Sequence, residues 1–182
     1  MHKLLTASAF VFALSLPAVA QDAVVPAPGA IARFMDASGQ SVGDVTLTQT
    51  ATGVNISGQL TGMTPGDHGF HFHEIGSCDG ATKFESAGGH FNPTEHKHGL
   101  DNPDGPHAGD LPNVTAAADG TTPVELDTNL LSLTEGQPGY VFDTDGTALV
   151  IHAGPDDYKT DPAGNSGDRI ACAVIEPATA AP

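Results

Sequence analysis

A short alternating segment constrains this chain more than any other feature. Residues 68–74 read His-Gly-Phe-His-Phe-His-Glu, so phenylalanine and histidine alternate. Successive side chains of a β-strand point to opposite faces, which puts Phe70 and Phe72 on one face and His71 and His73 on the other. If the phenylalanines enter a core, the two histidines project side by side, about 7 Å apart at the backbone. That spacing suits two imidazoles that bind one metal ion.

Two other histidines are predicted to have no metal-binding role. His68 falls on the phenylalanine face of the same strand, so we expect a core histidine that is hydrogen-bonded to backbone. His96 lies between Glu95 and Lys97 and breaks the spacing of its neighbours, so we expect it to be exposed.

The segment after this strand is predicted to be a long ordered loop that binds metal. It is too rich in glycine and proline for a helix, and it carries His90, His98, His107 and Asp110 at separations of eight, nine and three residues. A loop that folds back on itself can bring these four together. Three histidines with one aspartate form the closed tetrahedral set of a structural zinc site.

His152 ends a further predicted strand, and Asp156 follows four residues later, where a carboxylate can orient ligand imidazoles. Ligation by histidine without thiolate suits Cu(II) or Zn(II), and disfavours an iron–sulfur or haem centre. The histidine-rich strand and the loop together indicate two metal ions, one redox-active and one structural.

The rest of the chain favours an all-β fold with long loops. Short alternating segments are separated by turn residues, glycine and proline are abundant, and tryptophan is absent. Besides 68–74, the predicted strands are 31–35, 42–49, 54–60, 124–133, 147–153 and 169–175.

The ends of the chain indicate export. Residues 1–20 have a basic start, an apolar run and an Ala-x-Ala site, as in a signal peptide that is removed. Residues 21–29 and 177–182 are predicted to be tails, which leaves one domain over 30–176. In an oxidising compartment the two cysteines, Cys78 and Cys172, are expected to form a disulfide.

The charge excludes some partners. The chain has 22 acidic residues and 6 basic ones, which argues against nucleic acid and against an anionic membrane surface. The same charge repels a small anionic substrate at long range. A site that processes an anion must therefore supply a local positive field.

Taken together, the motifs resemble the copper/zinc superoxide dismutase family in its bacterial, exported (periplasmic) branch. The matching segments occur in the family's order and are HGFHFHE (68–74), GGHFNP (88–93), KHG (97–99), HAGDLPN (107–113), LVIHAGPDD (149–157) and GDRIACAVI (167–175). The resemblance implies a flattened, eight-stranded Greek-key β-barrel or sandwich with long metal-binding and active-site loops.

The resemblance also implies two metal sites with one shared ligand. Copper would be bound by His71, His73, His90 and His152, and zinc by His90, His98, His107 and Asp110. His90 would then be a catalytic imidazolate bridge, and Asp156 the outer link between the sites. Arg169 would guide the superoxide anion, and Cys78–Cys172 would be the disulfide.

The implied reaction is the dismutation of superoxide to molecular oxygen and hydrogen peroxide.

Two features depart from the family pattern. The loop between His152 and Arg169 is short, with Lys159 its only basic residue, and Ala173 stands where eukaryotic members have glycine near their dimer contact. The resemblance therefore leaves open whether the chain is a monomer or a homodimer.

Two other functions compete with this one. An exported copper and zinc carrier or buffer of the same fold would bind metal without turnover, but it would need neither Arg169 nor a shared His90. A zinc hydrolase needs an open coordination position, whereas all four zinc positions are filled here.

Overall fold

The computed structural model describes residues 29–178 and is built from β-strands. The predicted signal peptide and most of both predicted tails lie outside the described residues. The strands in that range are β1 (Gly29–Asp36), β2 (Ser41–Gln49), β3 (Val54–Leu60), β4 (Gly66–His68), β5 (Phe70–His73), β6 (Val114–Ala116), β7 (Thr122–Thr128), β8 (Ala148–His152) and β9 (Arg169–Pro177). Two 3₁₀ turns, Gly80–Thr82 and Glu85–Ala87, interrupt the loop after β5. In the same range, no helix is long and apolar enough to cross a membrane.

Seven strands form one antiparallel sheet in the order β5-β8-β9-β1-β2-β3-β7, and β4 pairs with β6. The sheet curls around a core that contains Phe34, Phe70 and Phe72. Neighbours in the sheet are not always neighbours in sequence, because β9 returns to lie beside β1. The all-β prediction is confirmed.

A bulge in β2 sets its register against β1. Phe34 pairs with Gly43 but Met35 pairs with Ser41, so Val42 and Val45 can both face the core. Gly43 has φ +127°, and a Cβ on it would lie 2.4 Å from the carbonyl oxygen of Gln59. Glycine is therefore required at this bulge.

Two strand predictions were too long. The segment 68–74 divides at Gly69, where the amide donates to the Gly154 carbonyl (2.8 Å) and a Cβ would lie 2.8 Å from Cβ of Ser166. The chain changes direction there, so β4 pairs with β6 while β5 pairs with β8. If β4 and β5 are counted as one bent strand, residues 29–178 contain the predicted eight strands.

The strand predicted over 124–133 ends at Thr128, where the Leu130 amide donates to the Thr128 side-chain oxygen at 3.2 Å. This local turn replaces the ladder hydrogen bonds of the strand. At the chain ends, Gly29 and Pro177 were assigned to the tails, but they lie within β1 and β9.

The two faces of strands β5, β8 and β9 have different surroundings. Their inner face contributes Phe72, Ile151 and Ala171 to the main core. On the outer face, Val150 of β8 pairs with His71 on one side and with Cys172 on the other. Loops 74–113 and 153–168 cover this outer face, which is where the candidate site lies.

Candidate metal centre

Four buried histidines converge on the outer face of β5 and β8. His71 and His73 come from β5, His152 ends β8, and His90 follows the second 3₁₀ turn and bridges to His73. One nitrogen from each lies within 4.8 Å of the others. We call these residues the four-histidine set.

The second ring nitrogen of all four histidines is already hydrogen-bonded, that of His90 to Asp110. His71 Nε2 contacts Oδ2 of Asp156 at 2.8 Å, His73 Nδ1 contacts the Gly88 carbonyl at 3.0 Å, and His152 Nδ1 contacts the Gly167 carbonyl at 3.1 Å. Each of these acceptors requires an N–H, so the opposite nitrogen of each neutral ring carries a free lone pair.

The lone-pair nitrogens are the ones that face each other. His71 Nδ1, His73 Nε2, His90 Nε2 and His152 Nε2 are buried and have no hydrogen-bond partner among the described residues. Buried polar atoms without a partner are costly, and four in one place require an explanation. A metal ion bound to all four provides it, so the set fits copper.

Burial also keeps these rings neutral. Removal from water lowers the pKa of His71 to about 3 and that of His152 to about 4, and it holds the pKa of His73 well below its usual range. The ligands are therefore unprotonated at neutral pH even before metal binds.

A second set forms around Asp110. Its Oδ1 lies 2.8 Å from His90 Nδ1, 3.0 Å from His98 Nδ1 and 3.2 Å from His107 Nδ1. Its Oδ2 accepts from the amides of Gly99 (2.9 Å) and His107 (3.0 Å), which fixes the direction of Oδ1. We call His90, His98, His107 and Asp110 the Asp110 set.

The Asp110 set has the dimensions of a zinc site. Zinc–nitrogen bonds of about 2.0–2.1 Å in a tetrahedron place neighbouring ligand atoms about 3.3 Å apart. The three distances from Asp110 Oδ1, 2.8 Å, 3.0 Å and 3.2 Å, are slightly shorter than that value, and His107 Nδ1 lies 3.5 Å from His90 Nδ1. Burial alone would raise the pKa of Asp110, but hydrogen bonds to His107, His90 and His98 hold it well below its usual range. The ligand carboxylate is therefore ionised.

His90 belongs to both sets through opposite nitrogens. Its Nδ1 faces Asp110, whereas its Nε2 is one of the four unpartnered nitrogens of the four-histidine set. One imidazole thus lies between the two candidate metal positions.

Asp156 links the two sets from behind. Its Oδ2 accepts from His71 Nε2 at 2.8 Å, and its Oδ1 accepts from His98 Nε2 at 3.0 Å. Both histidines are thereby held with Nδ1 toward their set. Burial would raise the pKa of Asp156, but the hydrogen bonds from His71 and His98 lower it.

Arg169 lies beside the four-histidine set. It starts β9, pairs with His152, and donates to the carbonyls of Phe84 (2.7 Å) and Gly88 (2.6 Å). Its guanidinium is only partly buried, so it presents a fixed positive charge at the edge of the site.

A disulfide joins Cys78 to Cys172, with a Cα–Cα distance of 5.6 Å. It ties the loop that carries Phe84 and Gly88 to β9.

His68 is buried and contacts the carbonyls of His152 and Thr64, each at 2.7 Å, in agreement with the core assignment. His96 is exposed, also as predicted.

Some contributors to the site were not predicted. The carbonyls of Gly88 and Gly167 orient ligand imidazoles, and Asn113 holds the backbone of Asp156. Every residue has a backbone carbonyl, so the sequence does not show which carbonyls will orient a ligand. Asn113 lies within the recognised HAGDLPN motif, and this is the one signal that could have drawn attention to it.

The fold and the site define a class of protein. Two adjoining donor sets that share an imidazole, one suited to a redox metal and one closed and tetrahedral, are typical of a two-metal oxidoreductase on an all-β scaffold.

The chain belongs to the copper/zinc superoxide dismutase family, whose model matches residues 41–175. It is 47% identical over 146 residues to superoxide dismutase [Cu-Zn] 1 of Aquifex aeolicus, covering 80% of this chain and 86% of that protein. It is 47% identical over 141 residues to superoxide dismutase [Cu-Zn] of Caulobacter vibrioides, covering 76% of this chain and 80% of that one.

Solved structures of similar fold support the same family assignment. The Cu/Zn superoxide dismutase from Brucella abortus has a TM-score of 0.65 at 33% identity and covers 81% of this chain and 99% of its own. A SOD-like protein from Bacillus subtilis has a TM-score of 0.77 at 40% identity, with coverages of 80% and 97%. The chain is a superoxide-dismutating oxidoreductase with copper and zinc as its cofactors. This favours turnover over the carrier alternative.

Proposed function

We propose that copper is bound by the four-histidine set and zinc by the Asp110 set, with His90 as the bridge between them. The observation that carries this assignment is the orientation of His90, whose two nitrogens face different sets. Copper would exchange single electrons, so that one superoxide is oxidised to oxygen and a second, with two protons, is reduced to hydrogen peroxide. Zinc would lower the pKa of the shared imidazole and order the loop that contributes all four of its ligands.

In this mechanism, His90 Nε2 is the atom that takes up a proton and passes it to the product. The atom lies on the side of the four-histidine set, where the product forms, and its ring is held by the contact of Nδ1 with Asp110. Asp156 keeps the N–H groups of His71 and His98 on the far side, so that their Nδ1 lone pairs face the metals.

Arg169 is proposed to dock the superoxide anion. Its charge is independent of working pH, and its guanidinium is fixed by the carbonyls of Phe84 and Gly88. In a chain with an excess of acidic residues, this local cation supplies the positive field that an anionic substrate requires.

Metal analysis of point variants tests the assignment. His73→Ala should lose copper and activity while it retains zinc, and His107→Ala should lose zinc while it retains copper. His96→Ala is the matched control, because His96 is exposed and outside both sets. Retention of full copper by His73→Ala, or of full zinc by His107→Ala, would refute the corresponding site.

We further propose export to the periplasm. The pattern of residues 1–20 and the Cys78–Cys172 disulfide support this, because stable disulfides form in oxidising compartments. Terminal sequencing of the protein from a periplasmic fraction should begin near Gln21. A cytoplasmic protein that still begins at Met1 would contradict export.

A further inference from the structure

The side chain of Asn113 holds both backbone groups of Asp156. Its Nδ2 donates to the Asp156 carbonyl at 2.9 Å, and its Oδ1 accepts from the Asp156 amide at 2.9 Å. The pair of bonds reproduces what a neighbouring strand would give, in a loop that has no strand there. Asn113 directly precedes β6, so the contact connects Asp156 to a paired element of the fold.

Tyr158 completes the arrangement around the same carboxylate. Its hydroxyl accepts from the Asn113 amide at 2.8 Å, and its own amide donates to Oδ1 of Asp156 at 2.7 Å. Asp156 is therefore held at its amide, its carbonyl and one carboxylate oxygen by Asn113 and Tyr158 together. The two carboxylate oxygens point at His71 and His98 from this fixed backbone.

We propose that Asn113 is a positioning residue for both metal sets and acts through Asp156. The inference rests on the proposed copper and zinc assignments and deepens them. A carboxylate that orients two imidazoles on different metals tolerates little movement, because a shift that improves one hydrogen bond lengthens the other. Asn113 restricts that movement because it holds the backbone of Asp156 in place, independently of the contacts that the carboxylate makes.

The test compares zinc binding in Asn113→Ala and Asn113→Asp with that in Asp157→Ala. Asp157 lies next to Asp156, but its side chain bonds only within its own loop, to Lys159, Thr160 and Asn165. It therefore controls for general loosening of the loop. Zinc affinity is measured by competition with a chromophoric chelator, well below the unfolding temperature of each variant.

We expect both Asn113 variants to bind zinc about tenfold more weakly, the lower end of what loss of an outer-sphere partner costs. Asn113→Asp should do no better than alanine, because it sets a carboxylate oxygen against the Asp156 carbonyl. Co(II) bound in place of zinc should show an altered visible spectrum in the Asn113 variants. The Asp157→Ala variant should match the wild type in both measurements.

A double-mutant cycle tests whether Asn113 acts through Asp156. Adding Asn113→Ala to Asp156→Ala should weaken zinc binding no further than Asp156→Ala alone. Additive losses would overturn the proposal, as would wild-type affinity in Asn113→Ala or an equal loss in Asp157→Ala. These outcomes are separate from the metal assignments themselves, which fail only if His73→Ala keeps its copper or His107→Ala keeps its zinc.

Discussion

Arg169 and His73 donate to the same backbone oxygen, that of Gly88, at 2.6 Å and 3.0 Å respectively. The residue proposed to dock the anion is thus separated from a proposed copper ligand by a single carbonyl group. Movement of the turn that carries Gly88 would displace both side chains together. The distance between the docking charge and the copper set is therefore fixed by backbone and does not depend on two flexible side chains.

Arg169 should matter for the rate more than for folding. One unit charge about 4 Å from an anion is worth between about 1 and 4 kcal/mol at effective dielectric constants of 80 to 20, so Arg169→Ala should lower the rate constant at least several-fold. Arg169→Glu should lower it further, because attraction becomes repulsion. Arg169→Lys should keep part of the activity. The positive charge remains, although the planar guanidinium that donates to two carbonyls is lost. Pulse radiolysis at confirmed copper content measures this, and an alanine variant as fast as the wild type would disprove docking.

Removing one nearby acidic charge should raise the rate. Glu85 Oε2 lies 3.9 Å from Arg169 Nη2, and its side chain is 74% exposed, so the pair adds little stability but offsets part of the positive field. We expect Glu85→Gln to be about twofold faster at low salt, with the gain screened away at high salt. Glu125→Gln, on β7 at the opposite end of the strand order, is the control and should be unchanged. An equal gain in both variants would show that only net charge matters.

The sequence alone predicted those parts of the site that depend on the alternation of side chains along a strand and on residues close together in the chain. The alternation around Phe70 and Phe72 predicted that His71 and His73 lie together and that His68 is a core histidine bonded to backbone. The structure places His71 and His73 in one set, and His68 is buried against two backbone carbonyls. The division at Gly69 was not foreseeable, because it depends on Ser166, almost a hundred residues away in the chain. The end of β7 at Thr128 was missed because a local side-chain turn competes there with an apolar pattern that continues.

Zinc affinity should rise with pH up to about 9. Burial alone would lower the pKa of His98, but hydrogen bonds to Asp110 and Asp156 raise it to about 9 in the metal-free protein. Below that pH, zinc must displace one proton from His98, so affinity should fall about tenfold per pH unit. Chelator competition between pH 7 and 9 measures the slope. Asp156→Asn removes one of the two carboxylates, so its affinity should stop rising at a lower pH. A flat profile in the wild-type protein would contradict the displaced proton.

The Cys78–Cys172 disulfide should support catalysis as well as stability. The bond spans 94 residues of sequence, and closing such a loop is worth roughly 4–5 kcal/mol by the chain-entropy model. It also tethers the turn whose carbonyls, at Phe84 and Gly88, hold Arg169. The double variant Cys78→Ala/Cys172→Ala should therefore lose both unfolding free energy and rate at full copper content. Leu47→Ala, a core variant in β2 expected to lose about 2–5 kcal/mol, leaves the turn tethered and should keep its rate per copper. If the cysteine-free protein keeps the wild-type rate while it is less stable, the disulfide does not position Arg169, and its role is confined to the fold.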